Sequence, residues 1–518
     1  MSTGNGSGAP ASRTYFGWQQ EKVAFIFGVS GQRAAMLAAG VLSAAWPLAV
    51  SDITAGAVCW PVAGVLVTLA FIRIAGRTVD EWVVAAASFW LLRSRDQNKF
   101  ASGAFAPRSK VRPNAPARMD LPGILAPLTI MEAGFGNGAA LAVAHNRYER
   151  TFTAVAMVRF PGIGLVDSAR RDLRVAGWGG LLTGLCTEGN PIVRVQTLQR
   201  LVPESGAALR RWHGDHLSVD APPVAAQITR TLLETSTLAT SQREAFLAFT
   251  MDHRRAASQI RAAGGGAAGA AVVLVRHLRA LTSAVSGADL HVEGWLAPRE
   301  LAEVLRTAFD PHSARVLAEQ RAGALAAVAA GVGDGDLAGV DPALAGPAAA
   351  EARPGSYLHD GAQTVSYVVH DWPRHQVYST ALAPLLGEGD HRRAFSLHVE
   401  PLGPRKAEQE VMRERTARDV AIRMRQRTGQ IVPEHERAAL DRARAQDRER
   451  AAGHGLVRFS AYVAVTVTDP AKLDDACAAL EADAAAARIS IRRMWMAQDI
   501  GFALSALPLG MGLPRKRW

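Results

Sequence analysis

Two stretches carry residue types suited to metal chemistry. His213, Asp215 and His216 lie close together, as do His370, Asp371 and His375. Neither forms the H-E-x-x-H helix that sets two imidazoles on one face, and neither has a Cys/His zinc spacing. Two glycine-rich runs are of the composition that can cradle phosphate: Gly134, Gly136 and Gly138, and Gly331, Gly333 and Gly335. Their spacing is not G-x-G-x-x-G, and no clear strand-to-helix setting surrounds them. The dipeptide Gly-Lys, on which a phosphate loop depends, occurs nowhere in the chain. There is no G-x-S-x-G elbow, and no cysteine has a neighbouring histidine. Cys59, Cys186 and Cys477 are far apart and read as reduced, structural thiols. The expectation is a chain that is not an enzyme, with no catalytic, cofactor-binding or metal-ligating residues.

The elements that would position any such residues begin with an apolar hairpin at 34–72. Residues 34–51 are free of charge, Asp52 follows, and 53–72 are again uncharged. Each run approaches the roughly 20 apolar residues that cross a bilayer as a helix. Arg33 precedes the pair, and Arg73 and Arg77 follow it. Basic residues stay cytoplasmic. The expected topology is two transmembrane helices with both termini cytoplasmic and the Asp52 turn outside. Gly40 with Ala44, and Gly64 with Thr68, are small residues four apart, a spacing that lets helices approach and suits a homo-oligomer.

The 518 residues carry a net charge of +11, and Arg outnumbers Lys 52 to 6. Such a balance suits lipid headgroups, acidic proteins or, less favoured, nucleic acid. The mean hydropathy of +0.04 fits a small anchor on a large cytoplasmic body.

In chain order, 1–33 is a cytoplasmic segment whose aromatic part, 15–27, suits either the membrane interface or packing on the body. Residues 73–118 are a juxtamembrane region. Within it, Trp82, Val83, Ala86, Phe89 and Trp90 mark an interfacial helix, followed by a basic, proline-rich linker. A first α/β domain spans 119–318. It has strands at 125–132, 141–145, 151–160 and 192–201 and a helix at 165–185. A long helix at 224–263 follows, then strands at 271–278 and 290–295 and a helix at 298–309. Residues 319–356, rich in Ala, Gly, Asp and Pro, read as a disordered linker. A second α/β domain covers 357–518. It has strands at 363–370 and 392–400 around a short helix at 377–386. Next comes a charged helix at 405–452, broken near 429–433, which is either a partner-binding arm or a solvated helix. A β-α-β-α unit closes the chain: strand 458–468, a helix from Asp469 to 487, strand 488–496 and helix 498–507. The fold class is membrane-anchored α/β or α+β.

Trp18 to Phe27, a tight two-helix hairpin and an aromatic exit helix together resemble the small PrgI-like and VirB-third-component inner-membrane proteins of conjugation machines. The remainder resembles the amino-terminal, non-ATPase part of the CagE/TrbE family, the VirB fourth component. The carrying residues are Asp371-Trp372-Pro373-Arg374, Glu400-Pro401-Leu402 before the charged helix, the alternating strand 458–468, and the closing run from Gln498 through Pro508 to Gly510. In that family a similar stretch leads into the ATPase; here eight residues follow Gly510. The arrangement looks like an actinobacterial membrane family that accompanies PrgI-like proteins and separate conjugation-type ATPases. The resemblance implies a plasma-membrane scaffold of a type IV secretion or conjugation-like apparatus. Its partners would be the lipid bilayer, a separate Walker-motif ATPase and other secretion or conjugation membrane subunits. The alternatives are a component like EccE of type VII secretion or a membrane-bound nucleic-acid-binding module. Reporter fusions test the topology: both termini should score cytoplasmic and a fusion at Asp52 external, whereas an external terminus would contradict the Arg33 and Arg73 reading.

Overall fold

The computed structural model describes residues 31–512 apart from 51–52, 72, 75–76, 104–118, 137–138, 160–166, 204–211, 215, 219, 240, 333–337, 374–376, 378–379, 388–390, 428 and 430. Two helices open it, α1 (Gly31–Val50) and α2 (Ile53–Phe71), followed by α3 (Val79–Ser94). Thirteen strands then build one antiparallel sheet.

Strand β1 (Lys99–Ala101) forms one edge. The first half of the sheet contains β2 (Leu128–Gly136), β3 (Ala139–Asn146), β4 (Thr151–Arg159), α4 (Ser168–Leu185), β5 (Ile192–Pro203), α5 (Pro223–Ala239), β6 (Ser241–Asp252), α6 (Gly266–Gly287), β7 (His291–Trp295) and α7 (Pro298–Phe309). Helix α8 (Ser313–Ala329) leads to the second half: β8 (Ala349–Ala352), β9 (Tyr357–His359), β10 (Ala362–Asp371), α9 (Ala383–Leu386), β11 (Arg392–Leu402), α10 (Pro404–Arg427), α11 (Glu434–Ala451), β12 (Leu456–Val467), α12 (Leu473–Ala486), β13 (Ser490–Arg493) and α13 (Gln498–Ala506). The halves repeat one plan. Each begins with a three-strand meander whose last strand opens a β-α-β-β-α-β unit. The spatial orders are β7-β4-β6-β5 and β13-β10-β12-β11, a split β-α-β arrangement in both. The halves join through β5 and β11, paired from Arg393 with Leu201 to Val399 with Val195.

The two expected domains are therefore halves of one sheet. Their common face buries a single apolar cluster that includes Leu301 and Phe309 of α7, Phe502 and Leu504 of α13, and Phe246 and Tyr462 of the sheet. The opposite face divides, with α4 and α6 over the first half and α12 over the second. Helix α7 forms where Pro298 opens its first turn and Glu300 accepts from the Ala297 N–H at 3.0 Å, and its apolar residues repeat at helical spacing. On β12, Ala461, Val463, Val465 and Val467 face α12 as the alternation predicts. Tyr462 and Ala464 face α13, so this strand is buried on both sides.

Three expectations are corrected. The long helix at 224–263 is α5 followed by the central strand β6. Residues Ala245–Thr250 sit between β5 and β4 with both faces covered, so no polar alternation marks the strand, and Ala, Leu and Met suggest a helix. Residues 271–278 are no strand but the middle of α6. Tertiary packing outweighs their β-branched composition, with buried positions from Gly269 to Leu278 at helical spacing. The stretch 319–356 is no disordered linker, since it holds most of α8, a 3₁₀ turn at Pro342–Leu344 and strand β8. The short helix expected at 377–386 reduces to α9, and the charged helix breaks where expected, into α10 and α11.

Because one sheet and one core serve both halves, the body should unfold in a single cooperative transition. Leu198→Ala, beside the junction, should lower stability by about 2–5 kcal/mol without splitting that transition. Calorimetry showing two separated transitions in the wild-type chain would contradict a shared core.

Candidate membrane anchor and docking surface

The α1–α2 hairpin inverts the usual burial pattern. Its buried positions are small or cyclic: Gly40, Pro47, Gly56, Ala63 and Ala70. A Cβ on Gly40 would stand 3.3 Å from Val67 and 3.6 Å from the Ala63 carbonyl, so glycine permits the close approach there. Large apolar side chains point outward, with Leu42 71%, Leu48 72%, Val58 67% and Phe71 69% exposed. Water would penalise such a surface, whereas lipid would not. Ser43 donates to the Cys59 carbonyl at 3.1 Å and Trp60 to the Ala44 carbonyl at 3.3 Å, tying the helices together.

Among the described residues, two helices are long and apolar enough to cross a membrane by length and composition, Thr54–Phe71 and Gly266–Gly287; the apolar part of α1, Met36–Val50, is shorter. They differ in setting. Helix α6 packs Val273, Leu274 and Leu278 into the body's core. Helix α2 faces outward along most of its length.

Helix α3 joins hairpin to body and is apolar on two sides. Phe89 is buried in the shared core, and Trp82 lies 6.1 Å from the ring of Trp495, over which the Arg493 guanidinium sits at 4.6 Å. Val83, Trp90 and Leu91 point away, with Trp90 74% exposed. After α3, β1 pairs with β8. The exit from the hairpin is thus fastened by ring packing and by backbone pairing. Of the basic linker expected at 101–118, residues 104–118 lie outside the described residues, as does the aromatic segment at 15–27.

At the centre of the common face runs a polar row contributed by both halves. Arg194 pairs with Glu400 at 3.0 Å and donates to the Gly510 carbonyl at 2.6 Å. Gln196 donates to Ser396 and to the Leu507 carbonyl, both at 2.9 Å, and accepts from the Gly510 N–H at 2.7 Å. Arg200 pairs with Glu244 at 2.6 Å and donates to the Val304 carbonyl at 2.9 Å. These contacts fasten α7, α13 and the strap after α13 to the sheet. Gly510 adopts φ of 59°, and a Cβ there would collide with Thr250. Leu507, Leu509 and Met511 are buried. The first residues of the closing stretch 508–518 are therefore packed, and 513–518 lie outside the described residues.

Two histidines complete the row. His398 Nε2 donates to the Leu504 carbonyl at 2.9 Å, and its buried Nδ1 has no hydrogen-bond partner. His359 bonds the Phe309 carbonyl and, at 2.7 Å, Thr364. Burial pushes each down to about 4. Burial also lowers Arg392 to about 10, with Arg200 adding to the effect, so it stays cationic. Burial raises the Cys186 and Cys477 thiols, as befits structural cysteines.

Among the described residues, the sequence motifs considered for chemistry are not brought together into a centre. Gly136 closes β2, where Arg279 donates to the Phe135 carbonyl at 3.0 Å, and Gly331 follows α8. His216 stacks on Trp212 at 4.5 Å; Asp215 and His375 lie outside the described residues. Among the described residues no group of three His, Cys, Asp or Glu side chains converges for a metal ion. Trp372, just past the end of β10, is buried edge-on against Phe459 at 5.5 Å. The polar row was missed in sequence, although Arg194, Gln196 and Arg200 share one parity along a strand. No family model matches the chain, and no curated protein matches it.

His398 gives a test of the seam. Its folded value lies below the ordinary 6.5. The stability it contributes is full above that value and falls as pH drops from 6.5 towards 4, by about 3 kcal/mol in all. His398→Gln should flatten the melting-temperature decline over this window relative to wild type. An unchanged slope would mean that His398 is not held neutral.

Proposed function

We propose that this chain is a non-catalytic, membrane-anchored scaffold subunit of a type IV secretion or conjugation-like apparatus, docking a separate ATPase from the cytoplasm. The observation that carries the reading is the inverted hairpin, with small residues inside and large apolar residues outside, coupled through α3 to a rigid sheet. A protein held at a membrane by two helices and presenting a broad sheet body is suited to positioning partners. The resemblance on Asp371–Arg374 and on Gln498–Gly510 supplies the kind of machine and of partner.

The docking face would comprise residues beyond Gly512 together with the α10–α11 pair. That pair is held by Arg415 with Asp447 at 3.0 Å and Arg425 with Glu436 at 2.9 Å. Exposed Met412 and Val420 on α10, and Ile431 in the connection, add apolar contact area. Arg515, Lys516, Arg517 and Trp518 are of the types that often anchor interfaces.

A truncation after Gly512 keeps Met511 in its buried place and should leave the fold and membrane attachment intact. Co-purification of a neighbouring conjugation-type ATPase should then fall about tenfold, the loss of about 1.4 kcal/mol. Undiminished recovery with a folded, membrane-bound truncation would reject the docking role. Release of the full chain from vesicles by alkaline carbonate would reject the anchor.

A further inference from the structure

A cavity beside α13 carries chemistry that a scaffold has no need of. It lies where the exit from the hairpin meets the body. Asn98 and Lys99 at the start of β1, the 3₁₀ turn Gly123–Leu125, strands β8 and β9 and the first turn of α13 all line it. Its volume is about 60 Å³. One water takes about 10–15 Å³ on that scale, so the cavity accepts a group of a few heavy atoms. Tyr357 and Phe502, with rings 5.2 Å apart, and the partly buried Phe100 supply aromatic walls. Two side chains bring acceptor oxygens to the same lining. Asp499 Oδ2 lies beside Gly123, where a Cβ would stand 3.6 Å away. Burial pushes the Asp499 carboxyl up from its ordinary value, although the Ile500 N–H donates to it. Asn98 donates through Nδ2 to the Ala352 carbonyl at 3.4 Å, and its buried Oδ1 has no hydrogen-bond partner.

We infer that this cavity binds a guanidinium group, carried by a small organic ligand or by an arginine side chain. Asp499 supplies the countercharge, Asn98 a neutral acceptor, and the rings supply faces on which a planar cation stacks. A carboxylate withdrawn from water gains more from a cation than a solvated one does. Other classes fit less well. An anion would meet the Asp499 carboxylate. A calcium ion takes about 6–8 oxygen ligands, whereas Asp499 is the only carboxylate among the described lining residues. A primary ammonium is more strongly hydrated than a guanidinium and enters a desolvated site less readily. Lys99, exposed at the rim, is a like charge that weakens the attraction. Strand β1 follows the hairpin and α3, and α13 leads into the strap, so a bound guanidinium would tie the two together. The inference stands on the cavity and does not rest on the secretion reading.

The test is thermal melting of the purified full chain in detergent at constant ionic strength. It is titrated with methylguanidinium and with methylurea, an uncharged analogue of similar shape. Methylguanidinium should raise the melting temperature saturably with a Kd of about 1 mM, and methylurea should not. Asp499→Asn should weaken this binding by about tenfold or more, and Lys99→Gln, at an exposed position, should tighten it about threefold. N-acetylarginine amide in place of methylguanidinium separates the two sources. Binding at least as tight assigns the site to an arginine side chain, and weaker binding to a free guanidino compound. No saturable shift, an equal shift with methylurea, or an affinity unchanged by Asp499→Asn would overturn the proposal. If Asp499→Asn does not fold, Lys99→Gln decides, and its failure to tighten binding overturns the proposal.

Discussion

The β5–β11 junction is the constraint on which the body depends. Two strands, each an outer member of its own β-α-β-β-α-β unit, meet there and abolish two sheet edges at once. The face they create is not apolar. Arg194, Gln196, Arg200, Ser396, His398 and Glu400 all point towards α7, α13 or the strap. Burying such groups costs several kcal/mol unless each finds a partner. The partners are largely main-chain carbonyls of Val304, Leu504, Leu507 and Gly510. The polar seam therefore fixes where the two helices and the strap must lie, which a greasy face would leave less specified.

This explains why the two halves cannot be treated as beads on a string. Helix α7 of the first half and α13 of the second share one cluster, with Phe309 and Phe502 rings 4.9 Å apart. His359 of the second half bonds the last turn of α7. A displacement of either helix would expose buried polar atoms from both halves. The repeated plan also makes departures from it informative. Strand β8 has its outer edge covered by β1, while its counterpart β2 ends the sheet on the other side.

The proposed anchor meets the body through α3 rather than through a free tether. A helix with Phe89 in the core and Trp90 outside can be held from both sides. Ring packing on Trp495 and the β1–β8 pairing restrict how the hairpin can move relative to the sheet. In the proposed function, that stiffness is what lets a membrane element set the position of a docking face.

The sequence by itself determined the elements whose periodicity was unambiguous. The alternation of 458–468, the Pro-led helix at 298–309, the hairpin of 141–145 with 151–160 and the break at 429–433 could all be read directly. So could the uncharged hairpin, because its length and lack of charge are local properties. It also determined that no phosphate loop or nucleophile elbow is spelled out in the chain. Only the tertiary structure decided that 241–252 is a central strand and 271–278 a helix. Burial on both faces removes the polar alternation of the first, and the β-branched run of the second lies on a helix whose buried face packing decides. Only the tertiary structure united the halves, because strand pairing between residues some 200 positions apart leaves no local trace. The polar seam belongs to the same class. Arg194 and Glu400 are each ordinary surface residues in sequence, and only the register of β5 on β11 makes them a partly buried pair.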